Sequence, residues 1–229
     1  DESGGTAAAN ECSFNGLSGI VVRDSALPRL EANYATDNVE SGLAYFGAAA
    51  GQVVGNIVAR NGLHGIDLYD TAAPRLDGNW VDKNVEGGLR FSDDSAPTVI
   101  SNTVTNNGLS GVIVREQARP LLEGNTIATN GESGVVYFST GGGQARGNDI
   151  SNNTDHGISV NDEATPVLEN NIIAGNGQAG ISYFESAGGS VVGNTISGNK
   201  WGIYLAESAA PAIGENTIVD NDTNVEDRR

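Results

Sequence analysis

The stretch GISVNDEATPVLENNIIAGN, Gly157 to Asn176, sets three short apolar alternations between a glycine, a proline and two asparagines. Its parts recur along the chain. Asn171 belongs to a column that runs Asn10, Asn33, Asn56, Asn79, Asn102, Asn125, Asn148, Asn171 and Asn194 in steps of 23, with Asn216 following after 22. Asn176 belongs to a second column, from Asn15 through Asn199 to Asn221, with the same single short step. The two columns hold 20 of the 25 asparagines, so chance does not explain them. Glycine keeps the same period from Gly19 through Gly180 to Gly202. All six prolines fall in one further column, whose gaps are filled by Gly51, Gly143 and Gly189. A fixed period of roughly 20–50 residues is the mark of a repeat architecture and takes precedence over any local reading.

A unit so punctuated has no room for a helix, because Gly, Pro and Asn recur before several helical turns can form. Apolar residues instead alternate in short runs: Ile66 and Leu68 after the column glycine, Leu76 two residues after the proline, Val81 two residues after the first asparagine. Period two over three runs reads as three strands per coil. One coil leaves its backbone and its apolar face without partners, and stacking similar coils supplies both. The sequence therefore predicts a parallel β-helix of nine to ten coils, about 45 Å long at about 4.8 Å per coil. The stack is expected over 10–221, with a lead-in at 1–9 and a polar tail at 222–229. At the corners, asparagine suits left-handed backbone and bonds to its own backbone. Stacked amides can also bond from coil to coil. Cys12 falls in an inward column of Val and Ile and is expected to be a small core residue.

The unit written GIxVxxxAxPxLxxNxIxxN resembles the right-handed parallel β-helix repeats of the pectate-lyase-like superfamily. That group includes carbohydrate-binding and sugar-hydrolase repeats, copper-maturation β-helix proteins and the β-helix of F-box substrate adaptors. Coils with AxP (Ala26–Pro28, Ala72–Pro74, Ala164–Pro166) mostly alternate with glycine-rich coils bearing Tyr45-Phe46, Tyr137-Phe138 and Tyr183-Phe184, a 46-residue super-repeat similar to that of the F-box proteins. The resemblance runs from about Asn10 to Asn221 and implies an all-β, single-stranded right-handed solenoid. It does not select a function, because this fold carries hydrolases, lyases, epimerases and binding modules.

Composition narrows the classes. With 29 acidic against 12 basic side chains the net charge is −17, which argues against nucleic acid as a partner. Nowhere do eighteen apolar residues run together, so no membrane insertion is expected. A single cysteine makes neither an internal disulfide nor a cysteine metal site. The acidic surface, with Lys83 and Lys200 its only lysines, suits an extracellular or cell-surface setting or high salt. Neither 1–9 nor 222–229 reads as a capping helix, so the expectation is a module of a longer chain, or one covered by another domain.

Enzymes of the resembled superfamily build a substrate groove from long loops inserted at coil corners, and here seven consecutive glycine intervals stay at 23. Asp93-Asp94, the adjacent acidic pair within the repeats, should point to opposite sides of an extended chain. Arg115 with Glu116 and Arg23 with Asp24 read as surface ion pairs. His64 and His156 share a column yet stand four coils, roughly 19 Å, apart, too far to hold one copper ion. No cofactor is expected apart from calcium, for which the carboxylate column through Asp70, Asp93 and Glu116 is the candidate, the alternative being a solvated face. The leading binding candidate is the outward stripe Tyr34, Ile57 and Trp80, with Arg60 and Lys83 beside it, since aromatic side chains on rigid strands suit sugar stacking or a protein hot spot. A second outward row, Phe46, Tyr69, Phe138 and Phe184, is assigned to packing over the glycine-rich loop. The sequence thus reads as a non-catalytic, rigid module that binds carbohydrate, with a polysaccharide lyase, epimerase or hydrolase and a protein-interaction scaffold as alternatives.

Overall fold

The structure, a computed structural model, describes residues 3–229. Within them lie 29 short strands and no helix, arranged in three parallel sheets. Sheet A has ten strands, from Gly4–Ala8 to Ala212–Ile213; sheet B has nine, from Tyr34–Thr36 to Thr217–Val219; sheet C has ten, from Ile20–Val22 to Thr223–Asp227. Each coil after the first gives one strand to each sheet, and the register follows the period: Val53 pairs with Leu76, Val58 with Val81, and Leu43 with Ile66. The chain is a β-solenoid, as its columns predict.

Strand pairing extends beyond 10–221 at both ends. Gly4–Ala8, in the segment read as a lead-in, pairs in parallel with Leu27–Glu31, and Thr223–Asp227, in the segment read as a tail, pairs with Trp201–Leu205. These strands lack the column asparagines that mark the period, but their backbones still complete the ladders of the neighbouring coils. At the first end Cys12 is only half-buried, beside the outermost strand of sheet B.

Alternation fills the interior. Leu76 and Leu122 from sheet A, Val81 and Ile150 from sheet B, and Leu43, Ile66 and Leu89 from sheet C are fully enclosed in one continuous core. Three tyrosines, Tyr45, Tyr137 and Tyr183, are enclosed with them, and their hydroxyls have no hydrogen-bond partner. The column glycines lie where a coil presses on the next: a Cβ on Gly88 would stand 2.7 Å from the Gly111 carbonyl oxygen and would meet Val104 Cγ1 as well.

The corners differ from the expectation for asparagine. Left-handed backbone is taken by the residue before every column asparagine except Asn216, such as Ala32 (φ 51°), Gly55 (61°), Arg60 (56°) and Lys83 (56°), and not by the asparagine itself. The asparagine side chain points across the stack. Asn56 Oδ1 accepts the Asn33 backbone N–H and the Asn33 Nδ2–H, both at 2.9 Å, while Asn56 Nδ2 donates to the Leu30 carbonyl and to Asn79 Oδ1, again at 2.9 Å. Repeated from coil to coil, these bonds satisfy both ends of the amides beyond the first rung and the corner backbone, so the type is chosen for its two-sided hydrogen bonding.

Candidate functional site

Sheet B carries the stripe that the sequence singles out. Tyr34, Ile57 and Trp80 occupy one rung position on adjacent strands, with Ala35, Val58 and Val81 turned inward beside them. Tyr34 is 51% and Trp80 43% exposed. A Cβ added at Gly55 or Gly78, the preceding corners, would meet nothing within 4 Å, so the space beside the stripe is open. Arg60 is committed to Asp37, through Nε at 2.8 Å and Nη2 at 2.6 Å, and this guanidinium holds the Asp37 carboxyl below its usual range. Lys83 Nζ lies 3.5 Å from the buried Asp82 carboxylate. The structure therefore brings all five residues to one face.

The carboxylates named for calcium are spaced along the rod and do not surround a point. Asp70 accepts the Gly47 N–H at 2.7 Å, Asp93 the Asp70 N–H at 2.9 Å, and Glu116 the Asp93 N–H at 3.4 Å. Asp70, Asp93 and Glu116 themselves have left-handed backbone, so the column is a ladder of carboxylates capping exposed corner amides. Among the described residues no three His, Cys, Asp or Glu side chains converge as a metal site requires. The histidines act similarly. His64 Nδ1 accepts the Gly87 N–H and His156 Nδ1 the Ala179 N–H, each at 3.1 Å, which leaves the ring proton on Nε2. His64 Nε2 lies 3.0 Å from Glu86 Oε2. Burial pushes both imidazoles below their ordinary range.

Sheet C carries a feature that the columns, read singly, do not reveal. Its outward face forms a groove of about 1020 Å³. Each strand there turns only its central residue outward, and the floor is built from Arg90, Ile113, Val136 and Ser159. Longer side chains rise at the corners on either side: Glu86, Leu109, Glu132 and Asp155 before the strands, and Arg115, Phe138, Asn161 and Phe184 after them. A smaller hollow of about 220 Å³ shares Asp155, His156 and Phe184 and prolongs the groove towards Trp201 and Tyr204.

Of the row Phe46, Tyr69, Phe138 and Phe184, assigned to loop packing, Phe138 and Phe184 line the groove wall. Phe46 and Tyr69 stack with centroids 4.9 Å apart and planes 5° from parallel; Phe184 packs on Tyr204 at 5.4 Å and edge-on to His156 at 5.7 Å. Phe138 is 37% exposed. The available signal was a spacing of six: Glu132 and Phe138 flank one strand and Asp155 and Asn161 the next, so two columns enclose a trough.

At one end of the floor, Arg90 binds Asp67 through Nε–Oδ1 and Nη2–Oδ2 bonds of 2.7 Å. The Tyr69 hydroxyl donates to Asp67 Oδ2 at 2.8 Å and also contacts Arg90 Nη2, whose guanidinium lies 4.9 Å from the Tyr69 ring centre. Burial, then the Asp67 charge, pushes the Tyr69 hydroxyl up to about 12. Of the ion pairs read from the sequence, Arg115–Glu116 forms at 3.6 Å, while Arg23 lies over the Phe46 ring at 5.2 Å.

The family model for the right handed beta helix region matches residues 1–120 and 88–223. The chain belongs to this right-handed β-helix family. No curated protein sequence matches it. Among solved structures, the periplasmic alginate epimerase AlgG superposes with a TM-score of 0.75 at 19% identity, over 85% of this chain and 51% of that one. The A-module of the mannuronan C-5 epimerase AlgE4 of Azotobacter vinelandii gives 0.67 at 14% identity, over 99% and 77%. At such identities the likeness is one of fold, and the chain spans about half the length of the AlgG structure.

Proposed function

We propose that this solenoid is a rigid polysaccharide-binding module, acting outside the cytoplasm, and that the sheet C groove is its principal binding surface. The observation that carries this reading is the trough itself: open, running along the rod, with aromatic side chains on one wall and hydrogen-bonding carboxylates on the other. Sugar rings offer apolar faces to aromatics and hydroxyls to carboxylates, and a linear glycan matches a linear groove. The epimerases that share the fold act on alginate and mannuronan, one of them in the periplasm, which supports a polysaccharide ligand and that location.

At the Arg90 end of the groove the titratable groups favour binding without turnover. Tyr69 is held protonated, Arg90 is saturated by Asp67, and the nitrogens of His64 are engaged by Gly87 and Glu86. None of these is a base poised for proton abstraction. The stripe Tyr34, Ile57 and Trp80 remains a second contact surface, supported by its exposure and open flank.

The deciding experiment is a glycan-array binding assay on wild type, Phe138→Ala and Trp80→Ala, with product analysis of every glycan bound. Binding weakened by Phe138→Ala supports the groove. Loss through Trp80→Ala alone moves the site to sheet B, released or epimerised product makes the chain an enzyme, and no binding leaves the scaffold reading.

A further inference from the structure

The groove is unevenly charged. Five carboxylates line it, Glu86, Glu132, Asp155, Asp162 and Glu185, against two guanidiniums, Arg90 and Arg115. Arg90 is bound on both sides to Asp67, which leaves Arg115, 3.6 Å from Glu116, as the one guanidinium exposed to a ligand. Glu86 lies 3.0 Å from His64 Nε2, Glu185 accepts the Asp162 N–H at 2.8 Å and Asp162 accepts the Ser139 N–H, so the less well matched carboxylates are Glu132 and Asp155. Glu132 accepts one hydroxyl hydrogen bond, from Ser110 at 3.3 Å, and Asp155 lies 3.6 Å from the His156 ring, whose basicity burial lowers. Around the groove the whole chain adds a net charge of −17. A polyuronate entering it would set its charges against five carboxylates with one exposed arginine to compensate.

Resting on the groove as the binding surface, we infer that its ligand is a glycan bearing ammonium groups, an amino-sugar polymer, and that polyuronates, the class to which mannuronan belongs, are rejected. A ring stacked on Phe138 or Phe184 would present its substituents to Glu132 and Asp155 across the floor, and an ammonium there gains both charged hydrogen bonds and attraction to the aromatic faces. The shared fold and the ligand charge therefore part company: the same solenoid serves polymers of opposite sign according to the side chains on one sheet.

The test measures affinity of the whole protein, at mildly acidic pH, for glucosamine oligomers with free amines, for the fully N-acetylated oligomers of equal length, and for oligomannuronate. The free-amine oligomers should bind most tightly and weaken as salt rises. The double variant Glu132→Gln/Asp155→Asn should lose about tenfold or more in that affinity, the size of one charged hydrogen bond, and distinctly less in its affinity for the N-acetylated oligomers. Phe138→Ala should weaken both. Equal or tighter binding of the N-acetylated oligomers, binding of oligomannuronate, or equal binding of polylysine overturns the charge inference and leaves the groove reading intact. Insensitivity of all binding to Phe138→Ala overturns the groove reading itself.

Discussion

The Arg90 guanidinium reaches back one coil to grip the Asp67 carboxylate with two bonds of 2.7 Å, and Asp67 is only 2% exposed. Groove floor and coil stacking are thereby joined in one ion pair. Truncating Arg90 would leave a buried charge held by Tyr69 alone. Arg90→Ala is expected to cost roughly 2–3 kcal/mol, and Arg90→Met/Asp67→Asn less than the sum of the two single changes. Urea unfolding of the three variants measures the coupling, and simple additivity would contradict a direct pair.

The amide ladder makes a sharper demand. Asn102 Oδ1 accepts both the backbone N–H and the Nδ2–H of Asn79, at 2.9 and 2.8 Å, while its own Nδ2 donates to the Leu76 carbonyl at 3.0 Å. Asn102→Ala orphans two buried donors at once and should cost about 3 kcal/mol or more. Asn102→Asp should fare no better, since a carboxylate cannot donate to the Leu76 carbonyl. Denaturant midpoints decide, and a loss below about 1 kcal/mol would mean that the ladder is dispensable at this rung.

Tyr137 offers a change in the opposite direction. Its hydroxyl lies in the core without a partner, and burial raises its pKa far above the usual tyrosine value. Tyr137→Phe removes the orphan and keeps the ring, so stability should rise by about 1 kcal/mol. A thermal melt checks this, and a drop of that size would reveal a partner for the hydroxyl.

Acid should loosen the rod before it protonates ordinary carboxylates. Burial depresses the imidazoles of His64 and His156, so the unfolded chain takes up their protons first. Their contribution is fully present above about pH 6.5, the unfolded histidine value, and is lost as pH falls below it through the folded values. Melting temperature should decline across that window, and His64→Gln/His156→Gln, whose amides can still accept the two backbone N–H groups, should flatten the decline. An equal slope in the double variant would place the titration elsewhere.

The solenoid was legible because its determinants lie in single columns. Leu43 or Ile66 needs only its own alternation to be assigned inward, and Asn33 only its period. The stripe Tyr34, Ile57 and Trp80 was legible for the same reason, being one column on one sheet. The groove escapes such a reading because concavity belongs to two columns at once, with a strand between them: Phe138 alone suggests packing, and Glu132 alone suggests a solvated surface. The left-handed corners were misplaced because asparagine's own preference pointed to the wrong neighbour. Ala32, Gly55, Arg60 and Lys83 are too varied in type to announce that the turn rests on them, and the amide bonds of the following asparagine hold them there.

Since each asparagine bonds only to the rungs directly before and after it, no residue measures the total length of the rod. Duplicating a two-coil unit of 46 residues, the interval from Gly143 to Gly189, would splice asparagine to asparagine and glycine to glycine, and would lengthen the trough by about 10 Å. For the proposed polymer ligand, reach would become a quantity that gene duplication can tune in fixed increments, independently of the side chains that line each coil of the groove.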